Sequence, residues 1–145
     1  MRVIGIDYGL RRTGVALGDT QPGGGGLALP FEVFEGLSDA ALAEALGQLV
    51  RHEGVEAIVV GVPLNADGTV SGQSRLTERF IVALQQAVGA GPGCVPIHRI
   101  SEYLSTHDAE GKLAGHYTRL QKRARVDALA AARILQDWMD GAATL

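Results

Sequence analysis

The sequence predicts an α/β fold: a mixed five-stranded sheet, a three-stranded antiparallel meander plus parallel strands, with helices on both faces. Three observations predict it. Three β-prone runs come first, at Arg2–Ile6, Thr13–Gly18 and Pro30–Phe34, with no helical pattern between them. Two later apolar runs, Ala57–Gly61 and Val95–Ile100, are separated by segments of helical periodicity, as crossovers between parallel strands require. The chain has 145 residues, the size of one domain, so 1–145 is expected to fold as a single unit.

Each element has a local reason. Arg2–Ile6 and Thr13–Gly18 flank a turn rich in Gly and Arg and read as a hairpin. Gln21–Leu27, with Pro22 and four consecutive glycines, reads as a mobile loop tip, and Pro30 marks the entry to the third strand. Ser38 caps a helix whose apolar stripe is Leu42, Leu46, Leu49 and Val50. Ala57–Gly61 is uniformly apolar, as a strand buried on both faces should be, and Val62–Gly72 is punctuated as a loop. A helix over Gln73–Val88 presents Leu76, Phe80, Leu84 and Val88, and Val95–Ile100 is the fifth strand. Ser105 is expected to cap a short helix. The last helix is placed over Arg125–Asp140, with Val126, Leu129, Ala130, Ile134 and Trp138 toward the core.

Composition narrows the class. Apolar residues make up 46% and charged residues 20%, which fits a folded core, and no run reaches the roughly 18 apolar residues of a membrane span. Met1–Ile6 runs straight into a strand, so no signal peptide is expected; with the lone Cys94 unable to form an internal disulfide, the expected location is cytoplasmic. The net charge of −3 does not point to nucleic acid, but its distribution does. Lys112, Arg119, Lys122, Arg123 and Arg125 form an acid-free stripe, and Arg11 and Arg12 a smaller spot. Such a stripe is ordinarily a solvated helix face; beside a carboxylate site it becomes a phosphate grip.

The carboxylates are Asp7, Glu102 and Asp127. Asp7 ends the first strand, with Gly9 leaving room for a sharp turn and a ligand; its plain alternative is a turn-starting Asp. Glu102 follows the fifth strand, where most glutamates are simply solvated. Asp127 is placed in the first turn of the last helix, where the helix dipole alone explains it. Parallel-strand topology is what joins them, because strand ends one, four and five should converge on one edge. Gathered acids repel one another until a hard divalent cation such as Mg²⁺ neutralises them. Zinc is disfavoured, since no His–Cys cluster exists. In Gly61–Gly68, Asn65 and Asp67 fit either a phosphate contact or an ordinary Asp-Gly turn, and no P-loop pattern occurs.

Four segments, taken together and in order, resemble the YqgF family, bacterial proteins described as Holliday-junction resolvases or pre-16S rRNA nucleases. They are Ile6-Asp-Tyr-Gly-Leu-Arg-Arg-Thr-Gly-Val-Ala, Val60-Gly-Val-Pro-Leu-Asn-Ala-Asp-Gly, Ser101-Glu-Tyr-Leu-Ser-Thr and Arg125-Val-Asp-Ala-Leu-Ala-Ala. The resemblance implies a ribonuclease H-like fold, dependence on Mg²⁺ or Mn²⁺, and phosphodiester hydrolysis in rRNA processing and ribosome biogenesis, or in DNA recombination and repair. It implies Asp7, Glu102 and Asp127 as catalytic acids and metal ligands. Gly9, Arg12, Thr13, Gly14, Asn65, Asp67, Gly68 and Thr106 would then shape a substrate cleft completed by the basic stripe. Ser101 and Tyr103 depart from the family's usual Asp and Arg beside the second acid, and Arg125 replaces a frequent Lys.

The expected partner is nucleic acid, structured RNA or branched DNA, and no membrane. A junction resolvase needs a symmetric homodimer to put two sites on opposed strands. Two other classes compete with this reading. An actin-like ATPase or sugar kinase shares the Asp-x-Gly hairpin but needs two clamping domains, for which 145 residues are too few. A non-catalytic nucleic-acid-binding or ribosome-assembly module would not need all three acids.

Overall fold

The computed structural model describes residues 1–22, 25–65, 67–89, 94–103 and 119–141, with backbone alone at 103 and 119–127. The elements run β1 (Arg2–Asp7), β2 (Arg12–Thr20), β3 (Gly26–Glu35), α1 (Asp39–Glu53), β4 (Ala57–Leu64), α2 (Gly72–Val88), β5 (Ile97–Tyr103) and α3 (Arg119–Met139). The five strands form one sheet in the order β3-β2-β1-β4-β5. β1–β2 and β2–β3 are antiparallel, whereas β4 is parallel to both β1 and β5. The carboxyl ends of β1, β4 and β5 therefore meet at one edge, as the sequence predicts. Among the described residues, no helix is long and apolar enough to cross a membrane.

Strand alternation sorts the apolar side chains into two cores. Ile4, Ile6, Val15, Ile58 and Val60 pack with Leu42, Leu46 and Val50 of α1 and with Phe80, Ile81 and Leu84 of α2. Val3, Ala16, Ala57, Val59 and Ile100 pack on the opposite face with Ala131, Ile134, Leu135 and Met139 of α3. The central strands are buried on both sides, which is why β4 carries no alternating polar positions. Ser38 caps α1 as expected, its hydroxyl accepting the Ala41 N–H at 3.2 Å. Ser71 and Ser74 form a capping box on α2, and both hydroxyls donate to the Pro63 carbonyl, tying this helix to the end of β4.

Several boundaries differ from the sequence reading. β4 continues through Val62, Pro63 and Leu64, which the sequence marks as loop, because β5 runs alongside and pairs Pro63 with Glu102 and Leu64 with Tyr103. Pro63 is tolerated there since the β1–β4 pairing ends at Ile6 with Val60, so no β1 residue needs its missing N–H. β5 is displaced toward the C-terminus, which puts Glu102 inside the strand rather than beyond it. β3 begins at Gly26, so Gly26 and Leu27 are strand rather than loop tip, and Gly25 donates to the Met139 carbonyl at 3.3 Å. Pro30 lies mid-strand, on the sheet's edge, beside a register shift between Val15 and Ala16. The same edge is met by Gln136, whose amide donates to the Gly26 carbonyl at 2.8 Å and accepts the Ala28 N–H at 2.9 Å.

α3 differs most. It starts at Arg119 rather than Arg125, so Asp127 is eight residues into it and outside the reach of the N-terminal dipole. Its sheet-facing stripe is Ala128, Ala131, Leu135 and Met139 with Ile134, while Leu129, Ala130 and Trp138 are only partly buried. Alanines face the sheet because the helix sits almost on the strand backbone. A Cβ at Gly5 of β1 would lie 2.6 Å from Leu135 Cβ and 2.8 Å from the Ala131 carbonyl oxygen. The expected short helix at Ser105 falls outside the described residues.

Gly5→Ala should therefore force α3 off β1 and lower the unfolding free energy by about 2–3 kcal/mol, the usual cost of overpacking. Urea unfolding checks this, and an unchanged midpoint would mean the helix is not seated as described.

Candidate active site

Asp7 is the last residue of β1 and, by alternation with Val3 and Gly5, lies on the α3 face of the sheet. The next residue anchors it from the other side. Tyr8 stacks on Phe80 of α2 with ring centroids 4.6 Å apart, and its hydroxyl donates to Asp39 at 2.6 Å. Burial first, then the hydrogen bond to the Asp39 carboxylate, pushes the Tyr8 hydroxyl up to about 12. The chain then turns back tightly. A side chain at Gly9 would collide with the Arg12 carbonyl oxygen, so glycine is required there. The Thr13 hydroxyl, almost fully buried, closes the turn by accepting the Gly9 N–H and donating to the Gly9 carbonyl. Arg12 opens β2, and Gly14 pairs with Asp7 across the hairpin.

Glu102 approaches from two strands away. His98 stacks on Trp138 of α3 at 5.2 Å and Ile100 joins the α3 core, so Glu102, two residues further along β5, shares that face. One step past the Ile6–Val60 pair, Asp7 comes level with Gly61 of β4, and Glu102 pairs with Pro63 just beyond. The Glu102 carboxylate leans back over Gly61, where a Cβ would be 3.1 Å from its Oε2. Burial and then the Asp7 negative charge raise Glu102 to about 8; Arg133 of α3 opposes this and Asp137 adds to it. The two acids are thus in one site, and Glu102 is largely withdrawn from water rather than solvated.

Asp127 is placed by its helix. Ile134 lies against Gly61, Leu135 against Gly5 and Met139 against Gly18, so α3 descends from the Asp7 edge toward the opposite one. Position 127 is on the stripe of Ala131 and Leu135, one turn or about 6 Å nearer the Asp7 edge than Ala131. Its side chain lies outside the described residues, as do those of Arg119, Lys122, Arg123 and Arg125, whose backbones form the opening turns of the same helix. Thr106 and Lys112 fall outside the described residues altogether.

Asn65 and Asp67 follow β4 at the same edge and are used in the turn. Asn65 donates to the Thr69 hydroxyl at 2.9 Å, and Asp67 accepts the Thr69 hydroxyl at 2.7 Å and the Thr69 N–H at 3.0 Å. These bonds hold the Asp67 carboxyl below the usual carboxylate range. Gly68 takes the left-handed φ of 84° that closes the turn. In the structure both side chains serve the turn that follows β4. The sequence reading missed Arg133 and Asp137, visible only as an i, i+4 charge pair on the last helix, and the Tyr8–Asp39 brace, for which no local signal exists.

The raised Glu102 predicts a pH dependence. An acid whose folded value is about 8 and whose ordinary value is 4.5 binds more protons folded than unfolded between those limits, so stability falls as pH rises through that window. In chelator, Glu102→Gln should gain on the parent between pH 5 and pH 8.5, by a difference on the order of a few kcal/mol. Urea unfolding at the two pH values checks this; parallel pH slopes would place Glu102 in water.

Comparison with known proteins identifies the family and the fold. A family model described as RuvX, Holliday junction resolvase, matches residues 1–141. A relative from Synechococcus sp. (strain JA-3-3Ab) is 39% identical over 142 residues, covering 94% of this chain and 82% of its own. One from Azotobacter vinelandii is 38% identical over 138 residues, covering 94% and 92%. Both carry the name "Putative pre-16S rRNA nuclease". Among solved structures, Thermus thermophilus RuvC in complex with Holliday junction substrate aligns over 100% of both chains with a TM-score of 0.56 at 17% identity. The yeast mitochondrial Holliday junction resolvase Ydc2 aligns over 95% of this chain and 77% of its own with a TM-score of 0.53 at 15% identity. The resemblance carried by the four sequence motifs is borne out: the chain belongs to the RuvX (YqgF) family, described as Holliday junction resolvases, and has the ribonuclease H-like fold of RuvC-type resolvases.

Proposed function

We propose that this protein is a divalent-metal-dependent nuclease, hydrolysing phosphodiester bonds at the 5′ end of pre-16S rRNA, in branched DNA, or in both. The observation that supports it most is the approach of Asp7 and Glu102 across Gly61 at the carboxyl edge of the sheet. A buried acid beside a second carboxylate is poor as a lone anion pair and good as a cation site. The donors are oxygen only, which fits Mg²⁺ or Mn²⁺ and not a soft metal. Asp7, Glu102 and Asp127 would hold the ion. When bound, it supplies charge neutralisation at the scissile phosphate and a lowered pKa for water.

The chain's own residues do the rest. Asp7 is fixed by β1 and the Tyr8 brace, and Glu102 by β5, so both carboxylates are preorganised before substrate arrives. Water attacks phosphorus in line, opposite the departing 3′ oxygen. Gly9, Thr13, Asn65, Asp67 and Thr106 border the cleft. Arg12, Lys112, Arg119, Lys122, Arg123 and Arg125 grip the flanking phosphates, which makes binding salt-dependent. On a four-way junction a homodimer would present two such sites to opposed strands.

Asp7→Asn should keep the fold and nucleic-acid binding while reducing cleavage by more than about a hundredfold, the upper range for losing merely an outer-shell partner. The assay is a panel of four-way DNA junction, single-stranded RNA and rRNA precursor, each with Mg²⁺ and Mn²⁺. Full-rate cleavage by the variant would overturn the mechanism. Binding without cleavage by the parent on every substrate would favour a non-catalytic assembly role instead.

A further inference from the structure

Gly61 stands in the most apolar strand, within Ala57-Ile-Val-Val-Gly-Val-Pro-Leu64, where a β-branched residue would be the ordinary choice. Its backbone gives no reason for glycine, because Gly61 is absent from the positive-φ positions and has the conformation of any strand residue. The reason is space, and two neighbours set it. A Cβ would lie 2.5 Å from Ile134 Cδ1 and 3.0 Å from Ile134 Cγ1 on α3, and 3.1 Å from Glu102 Oε2. At Gly5 the obstacles are Leu135 and the helix backbone, which concern packing alone. At Gly61 one obstacle is the carboxylate itself.

We propose that Gly61 is a positioning residue for the acid site: its bare backbone is the floor across which Glu102 reaches toward Asp7. This rests on the metal-site reading above. Any side chain at 61 lifts the Glu102 carboxylate away from Asp7 by a few tenths of an ångström, and a shared hard cation tolerates such displacement poorly. The Ile134 contact can be relieved by trimming Ile134. The Glu102 contact cannot, which separates helix packing from site geometry.

The experiment compares parent, Ile134→Ala, Gly61→Ala, the Gly61→Ala/Ile134→Ala double variant and Glu102→Gln. Each is melted in chelator and titrated with Mn²⁺ by electron paramagnetic resonance, without nucleic acid. Gly61→Ala should melt low, and the double variant should melt close to Ile134→Ala because the trimmed side chain leaves room for the added methyl. Mn²⁺ affinity should stay within about twofold of the parent in Ile134→Ala but fall about tenfold in both variants carrying Gly61→Ala. Equal Mn²⁺ affinity in the double variant and Ile134→Ala would reduce Gly61 to a packing residue and overturn the proposal. Equal Mn²⁺ affinity in the parent and Glu102→Gln would overturn the metal reading itself, and the role of Gly61 with it.

Discussion

The fold depends on how closely α3 lies on the sheet. Gly5 and Gly61 remove the side chains that would otherwise hold a helix off, and Ala131 does the same from above. Side chains at these two positions would hold α3 further from the sheet, and position 127 with it. Close seating instead lets Ile134 and Leu135 index the helix against particular strand residues. The register of α3, and so the place of its acid and its basic opening turns, is set by backbone contact.

That seating has an electrostatic counterpart. Bringing α3 down excludes water from the space above β4, and Glu102 is drawn into it beside Asp7. A fold selected for stability alone would not keep a carboxylate there. Natural proteins accept such local costs at functional sites and recover them in the surrounding core, here two apolar layers on either face of the same strands. Tyr8 belongs to both halves of this arrangement. Its ring joins the α1–α2 core through Phe80, while the residue before it faces the site.

Much of this was legible in the sequence because it is local. The β1–β2 hairpin, the Ser38 cap and the stripe of α2 follow from a few neighbouring residues each, and all appear in the structure. The parallel placement of β1, β4 and β5 also followed, since helical segments separate them. What escaped depends on partners distant in the chain. β4 is three residues longer than its apolar run because β5 pairs with its end. Glu102 reads as an exposed acid until Gly61, forty-one positions earlier, is known to lie beneath it. On α3 the sequence identifies Ile134 as core but not Ala128, Ala131 and Leu135, because only contact with glycines distant in the chain makes a helix bury its alanines. Arg133 and Asp137 carry no signal beyond helical spacing, and only the fold brings their charges within range of Glu102.

The amide of Gln136 gives β3 a substitute neighbour. Backbone groups at Gly26 and Ala28, which would otherwise invite another chain to add itself to the sheet, are already occupied from within the molecule. Further along the strand, Pro30 has no N–H to offer, and Glu32 and Glu35 carry like charges. With these positions filled or blunted, an approaching strand finds little at this border to pair with, so the sheet ends here instead of extending into a neighbouring molecule.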